Sequence, residues 1–153
     1  MLNLDKYKNG TIIIVNDSFD ELRKNKELIY LFENDKIRCL KLMKETIGEN
    51  VIVLNCALGD TNMEHYIGEN KSNIVVKLDG FSISDVKLIV INYKNYEIKV
   101  LKGATKTIIR NTPDIFINCD VENITKIEKY VTKLGYRYSG IKYMEYFVFE
   151  AKR

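Results

Sequence analysis

The chain has 153 residues, 46% hydrophobic and 29% charged, with 24 Lys+Arg against 21 Asp+Glu. That length buries a sizeable core without disulfides or metals, and the balance excludes a disordered, collagen-like or coiled-coil chain. A net charge of +3 with no basic block leaves no electrostatic footprint for nucleic acid.

Apolar runs and helical patterns alternate from end to end. Thr11–Val15 (TIIIV) is a β-branched run suited to a central strand covered on both faces, and Ser18 to Glu21 has the spacing of a capping box that opens a short helix. Leu28–Phe32 (LIYLF) is a second buried strand. Asn34 is expected to cap the next helix, with Ile37, Leu40, Met43 and Ile47 as its inner stripe and Gly48 as its stop. Val51–Leu54 is the third strand, His65–Ile67 and Ile74–Leu78 read as shorter strands around a polar loop, Gly68–Asn73, and Val86–Ile91 is the fourth long strand. A helix with Ile98, Leu101, Thr105 and Ile108 on one face ends at Asn111-Thr112-Pro113, because proline restricts its predecessor. Asp114–Cys119 is the fifth long strand. Ile124, Ile127, Val131 and Leu134 mark a last helix, with Asn123 as its cap and Gly135 as its stop. Tyr136–Ser139 and Tyr143–Glu150 form a closing hairpin with a turn near Gly140.

This order predicts a mostly parallel α/β sheet with helices on both faces and an antiparallel end, built with right-handed crossovers. No linker, repeat or low-complexity stretch divides residues 1–153, which read as a single domain. No apolar run approaches the roughly 18 residues of a membrane span, and the first residues have no signal-peptide pattern, so a soluble, cytoplasmic protein is expected. Cys39, Cys56 and Cys119 lack a C-x-x-C pair and read as reduced, buried thiols; with the lone His65 they match no zinc spacing, so no metal is expected. Asn, Lys, Ile and Tyr number 15, 19, 20 and 10. Their AT-rich codons point to a low-GC source, viral, protist or bacterial, rather than to a function.

In an open α/β sheet a ligand binds beyond the carboxyl ends of the strands, here Asn16–Ser18, Glu33–Asp35, Asn55–Leu58 and Asn92–Asn95. Glu33 stands about 20 residues after the first strand, where an acidic side chain accepts the ribose hydroxyls of an adenosine; a solvated acid at a helix start is the plainer alternative. His65 as a general base, a tyrosine surface at Tyr136, Tyr138, Tyr143 and Tyr146, and the basic helix face of Lys99, Lys102 and Lys106 read better as surface or packing features.

Four segments in order carry a resemblance: L-I-Y-L-F-E33-N-D, N50-V-I-V-L-N-C-A57-L-G-D60, V-V-K-L-D79-G-F and V86-K-L-I-V-I-N92-Y-K-N-Y-E97-I-K-V-L-K-G103-A. They resemble the FkbM family of S-adenosylmethionine-dependent methyltransferases, over nearly the whole chain from about residue 10. The resemblance implies a Rossmann-like class I methyltransferase fold whose seven long strands run 3-2-1-4-5-7-6, with S-adenosylmethionine across the ends of the first four. It implies Glu33 on the ribose, Cys56, Ala57 and Leu58 beside adenine, Asn16, Asp17 and Ser18 at the methionine end, and Asn92, Lys94 and Glu97 toward a hydroxyl acceptor such as a sugar.

The chain also departs from that family. The glycines that follow the family's first strand are replaced by N16-D17-S18-F-D20-E21, and its K-I-D-V-E-G reads V90-I-N92-Y-K94-N. Against the family, the chain reads as a shortened core that starts almost at the first strand. Two readings therefore stand. One is a working methyltransferase with a small-molecule hydroxyl acceptor. The other is a non-catalytic descendant that serves as a binding or assembly module, as a homo-oligomer or with a protein partner.

Overall fold

The computed structural model describes residues 3–16, 20–23, 27–64, 69–72 and 74–152. In chain order the elements are β1 (Thr11–Val15), α1 (Asp20–Arg23), β2 (Leu28–Phe32), α2 (Lys36–Glu45) and β3 (Val51–Leu54). Then come β4 (Ala57–Leu58), β5 (Met63–Glu64), β6 (Ile74–Val76), β7 (Val86–Ile91), α3 (Glu97–Gly103) and α4 (Thr105–Asn111). The chain closes with β8 (Asp114–Ile117), α5 (Val121–Lys133), β9 (Tyr136–Tyr143) and β10 (Tyr146–Ala151).

Seven strands form one sheet in the order β3-β2-β1-β7-β8-β10-β9. Left to right this is the 3-2-1-4-5-7-6 order expected of the seven long strands. β1, β2, β3, β7 and β8 are mutually parallel, and β10 runs antiparallel to both β8 and β9. Every residue of β1 is buried, as a β-branched run with a layer on each face requires. Ile13, Val15, Ile89, Ile91 and Ile115 point to the face that α3, α4 and α5 cover, with Val100, Leu101, Ile108, Ile127 and Val131 packed on them. Ile12, Ile14, Ile29, Leu31 and Phe116 point to the other face, under Leu22 of α1 and Leu42 of α2. Among the described residues no helix is long and apolar enough to cross a membrane.

The segment between β3 and β7 is a separate three-stranded sheet, β4-β6-β5, instead of the two strands expected. His65–Ile67 and the two ends of the polar loop, Gly68 and Asn73, lie outside the described residues; the second expected strand ends at Val76, and Leu78–Phe81 is a 3-10 turn. Two matched glycines explain how this sheet docks. A Cβ on Gly103 would lie 1.8 Å from the carbonyl oxygen of Gly59, so α3 and the chain after β4 meet backbone to backbone. Asp79 fixes the other side: its carboxylate accepts the Lys106 and Thr107 N–H groups and the Thr107 hydroxyl at the start of α4.

Several local expectations are corrected. The helix after β7 breaks at Ala104 into α3 and α4, where the Thr105 hydroxyl turns back onto the Leu101 and Lys102 carbonyls. Asp120, rather than Asn123, stands at the N-cap of α5, and β8 ends at Ile117, short of Cys119. The hairpin turns at Met144 and Glu145, while Gly140 (φ 82) is a bulge inside β9, where the pairing with β10 slips register. Tyr136 and Tyr146 are buried packing residues, and all three cysteines are free and buried.

The largest correction concerns α2. Asp35, not Asn34, caps it, accepting the Ile37 and Arg38 N–H groups at 3.0 Å each. Those bonds and Lys71 Nζ at 3.0 Å hold the Asp35 carboxyl below its ordinary range. The expected inner stripe faces outward instead; Cys39 and Leu42 are the buried residues. Arg38, itself half exposed, reaches back to the buried Glu33, and Leu40, two residues on, diverges from it by about 200°.

Candidate functional site

Each parallel strand of the large sheet is followed at its carboxyl end by a residue with an amide or carboxylate: Asn16 after β1, Glu33 and Asn34 after β2, Asn55 after β3, Asn92 after β7 and Asn118 after β8. Such residues suit these positions because a strand end leaves backbone groups unpaired, and their short polar side chains reach those groups. They join into a row. Asn55 Nδ2 donates to the Glu33 carbonyl at 2.9 Å, the Asn34 N–H to Asn16 Oδ1 at 3.3 Å, Asn92 Nδ2 to the Asn16 carbonyl at 3.2 Å, and Asn118 Nδ2 to Asn92 Oδ1 at 3.1 Å. Of this row, the sequence reading gives roles to Asn16, Glu33 and Asn92, places Asn34 and Asn55 at ligand-binding strand ends without one, and sets Asn118 inside the fifth strand, which ends one residue before it.

Asn16 has φ 55, the left-handed conformation that glycine adopts freely and asparagine tolerates best among the others. It thus meets the backbone requirement of a glycine turn while adding a side chain. Its side-chain oxygen and its carbonyl are both engaged within the row. Asp17 and Ser18 lie outside the described residues.

Glu33 is 2% exposed. Its Oε1 accepts the Asp35 N–H at 3.0 Å, while Oε2 is buried with no hydrogen-bond partner. Arg38 Nε lies 3.6 Å from Oε2, a charge neighbour beyond bonding distance. A buried carboxylate oxygen left without a donor is costly, which marks it as poised for one. Cys56, Ala57 and Leu58 follow Asn55 and are all buried. Burial, and then the neighbouring Cys39, pushes the Cys56 thiol up to about 11.

Asn92, Lys94 and Glu97 do not converge on one point. Asn92 belongs to the asparagine row. Lys94 pairs with Asp120 at 3.4 Å, at the mouth of α5. Glu97, in the first turn of α3, is 3% exposed, and its Oε1 has no hydrogen-bond partner. Glu97 lines a pocket of about 200 Å³ with Asn95, Asn123 and Lys126, and Asn123 Nδ2 donates to Asn95 Oδ1 at 3.4 Å. Burial, followed by the charges of Glu97 and Asp120, pushes the adjacent Cys119 thiol up to about 11. Beside this pocket the Tyr93 and Tyr96 rings stack 4.5 Å apart, and the Tyr93 hydroxyl accepts Asn34 Nδ2 at 3.5 Å.

A larger cleft, about 760 Å³, opens at the opposite end of the sheet, beside the first residues of β7 and β8. Both of its carboxylates are engaged within it, Asp114 by Lys6 and Tyr7 and Glu150 by Arg137 at 2.9 Å, while Lys87 and Lys152 also line it. Size therefore does not locate the site. Three buried carboxylate oxygens lack a donor, on Glu27, Glu33 and Glu97; Glu27 stands just before β2, whereas Glu33 and Glu97 stand beyond the carboxyl ends of β2 and β7, where the fold places a ligand.

No family model matches the sequence, and no curated protein is found similar to it. Among solved structures, the chain matches the crystal structure of methyltransferase FkbM from Methylobacillus flagellatus KT with a TM-score of 0.69 at 15% sequence identity. The match covers 92% of this chain and 43% of that one, so the chain spans less than half the length of the protein it resembles. The strand order, the antiparallel closing hairpin and this superposition together give the chain a methyltransferase fold.

Proposed function

We propose that the chain is an S-adenosylmethionine-dependent methyltransferase domain of the FkbM type, acting on a small hydroxyl acceptor such as a sugar. The observation that carries this reading is Glu33: a buried carboxylate at the carboxyl end of β2, with one oxygen fixed by a backbone N–H and the other awaiting a donor. That arrangement suits the paired hydroxyls of a ribose. The nucleoside end of the cofactor therefore fits the residues present, with the buried Cys56, Ala57 and Leu58 as the apolar flank for adenine. Asn16, with Asp17 and Ser18, would line the methionine end.

S-adenosylmethionine, when bound, supplies a methyl group made electrophilic by its sulfonium sulfur. The chain's own residues have the remaining tasks. Glu33 anchors the ribose. Asn92, tied to both Asn16 and Asn118, fixes the spacing between the strand ends on which orientation depends. Glu97 is the group to take the proton of the acceptor hydroxyl on Oε1, with the Asn95 and Asn123 amides beside it. Lys94, paired with Asp120, is a fixed positive charge at the rim rather than a base.

A thermal-shift titration tests the reading. A ligand at 100 times its dissociation constant that binds only the folded state stabilises it by about 2.7 kcal/mol. S-adenosylmethionine and S-adenosylhomocysteine should both raise the melting temperature, and Glu33→Gln should remove most of the effect. No shift at millimolar ligand overturns the reading.

The asparagine row favours a second one: a domain of the same fold that has closed its cofactor end with internal hydrogen bonds and serves as a binding or assembly module. The same titration separates the two.

A further inference from the structure

The pocket beside Glu97 has two unlike ends, and the difference narrows what the acceptor can be. Glu97 is the buried end, where Oε1 has no donor. Lys126, exposed on α5, is the open end. Among the described residues Lys126 makes no ion pair, not even with Glu122 one turn earlier. The neighbouring charges are already committed, since Lys94 and Asp120 hold each other at 3.4 Å. Ile98 of α3 and the buried Ile127 of α5 supply the apolar walls.

Each of these features selects. A buried carboxylate oxygen without a donor is costly, and a neutral hydroxyl provides that donor without a second charge to bury. The same carboxylate repels an anion, and isoleucine walls offer an anion no partner, so a negative charge on the ligand is held off the buried end. At the open end Lys126 offers such a charge a partner that stays in contact with water. The Asn123 Nδ2 bond to Asn95 Oδ1, at 3.4 Å, leaves Asn95 Nδ2 to donate and Asn123 Oδ1 to accept. Volume limits the size. Ligand pockets commonly start at about 300 Å³, whereas about 200 Å³ admits one sugar ring and not a chain of them.

We propose, resting on the reading above in which Glu97 meets the acceptor hydroxyl, that the acceptor is a sugar acid: a single ring whose hydroxyl donates to Glu97 and whose carboxylate faces Lys126. Lys126 is then the residue that selects for charge.

Calorimetric titration of the full chain with D-glucuronate and with D-glucose tests the proposal, because the two differ only by a carboxylate against a hydroxymethyl group. D-galacturonate and D-galactose repeat the comparison with one hydroxyl inverted. In at least one pair the acid should bind about fivefold more tightly, as a partly exposed charge pair supplies, and added salt should shrink the difference. Lys126→Gln should bring the acid to the affinity of its neutral partner, while Lys126→Arg keeps the preference. Lys126 is exposed and unpaired in the free chain, so neither substitution should move its melting temperature. Glu97→Ala should weaken acid and neutral sugar alike, by about tenfold.

Equal binding of acid and neutral sugar in both pairs, or no binding of any of the four at millimolar concentration, overturns the proposal. So does a preference for acid that survives Lys126→Gln. The cofactor titration reads the Glu33 end and stays separate. A cofactor shift without a preference for acid sinks the sugar acid alone, whereas a preference for acid without a cofactor shift sinks the methyltransferase reading and leaves the pocket its ligand.

Discussion

The face of the sheet under α3, α4 and α5 is closed by buried apolar side chains, with α3 also meeting the chain after β4 backbone to backbone, whereas the face under α1 and α2 leaves a row of large apolar side chains in solvent. Helices α5 and α2 make the contrast plainest. Both carry apolar residues at intervals of three and four, yet α5 buries Ile127 and Val131 while α2 buries only Cys39 and Leu42. Periodicity establishes that a helix has an apolar side. It does not establish which row faces the sheet: α2 starts from the Asp35 cap, with Arg38 leaning toward Glu33, and there the row of four turns outward.

Five measurements bear on this contrast, the largest effect first. Gly103→Ala forces a methyl group into the Gly59 carbonyl and should destabilise by about 3 kcal/mol or more in urea unfolding; a near-neutral result would mean that the closed face is loosely joined. Ile127→Ala on α5 should cost about 3 kcal/mol, within the range for a fully buried isoleucine. Leu42→Ala on α2 should come to about 2 kcal/mol, because fewer neighbours surround a residue near the sheet edge. An equal or larger loss there would erase the difference between the faces.

The fourth measurement follows the thiols. Cys56 and Cys119 keep their protons up to about pH 11 in the folded chain, against an ordinary value of 9.0. A folded-state pKa raised in this way contributes stability that is complete below pH 9 and is lost as pH rises from 9 to 11. Thermal melts across that window should fall less steeply in Cys56→Ala than in the wild type; identical slopes would refute the assignment. The smallest effect is Ile47→Gln, within about 0.5 kcal/mol on dilute protein, as for any surface position without a special role.

The sheet was legible in the sequence because strands buried on both faces must be apolar throughout, as TIIIV, LIYLF and VKLIVI are. Strand order followed from the resemblance, not from the runs themselves. Less legible were features settled by contacts distant in the chain. Gly140 reads locally as a turn, yet it is the bulge that lets β9 stay paired with β10. Asn34 and Asn123 are as good as caps by type as the Asp35 and Asp120 that stand there. Glu33 was readable from its place after a strand. The asparagine row was not, since Asn92 and Asn16 are 76 residues apart and no local pattern links them.

That row has a consequence for how anything enters the strand ends. The Asn92 amide gives one bond and takes another, so pulling it out would strip the Asn16 carbonyl of a donor and Asn118 of an acceptor in the same movement. An incoming molecule gains little by replacing one of these bonds alone. A molecule that displaces Asn92 leaves two groups unpaired unless it brings a donor and an acceptor together, which makes displacement closer to a latch than to a slope.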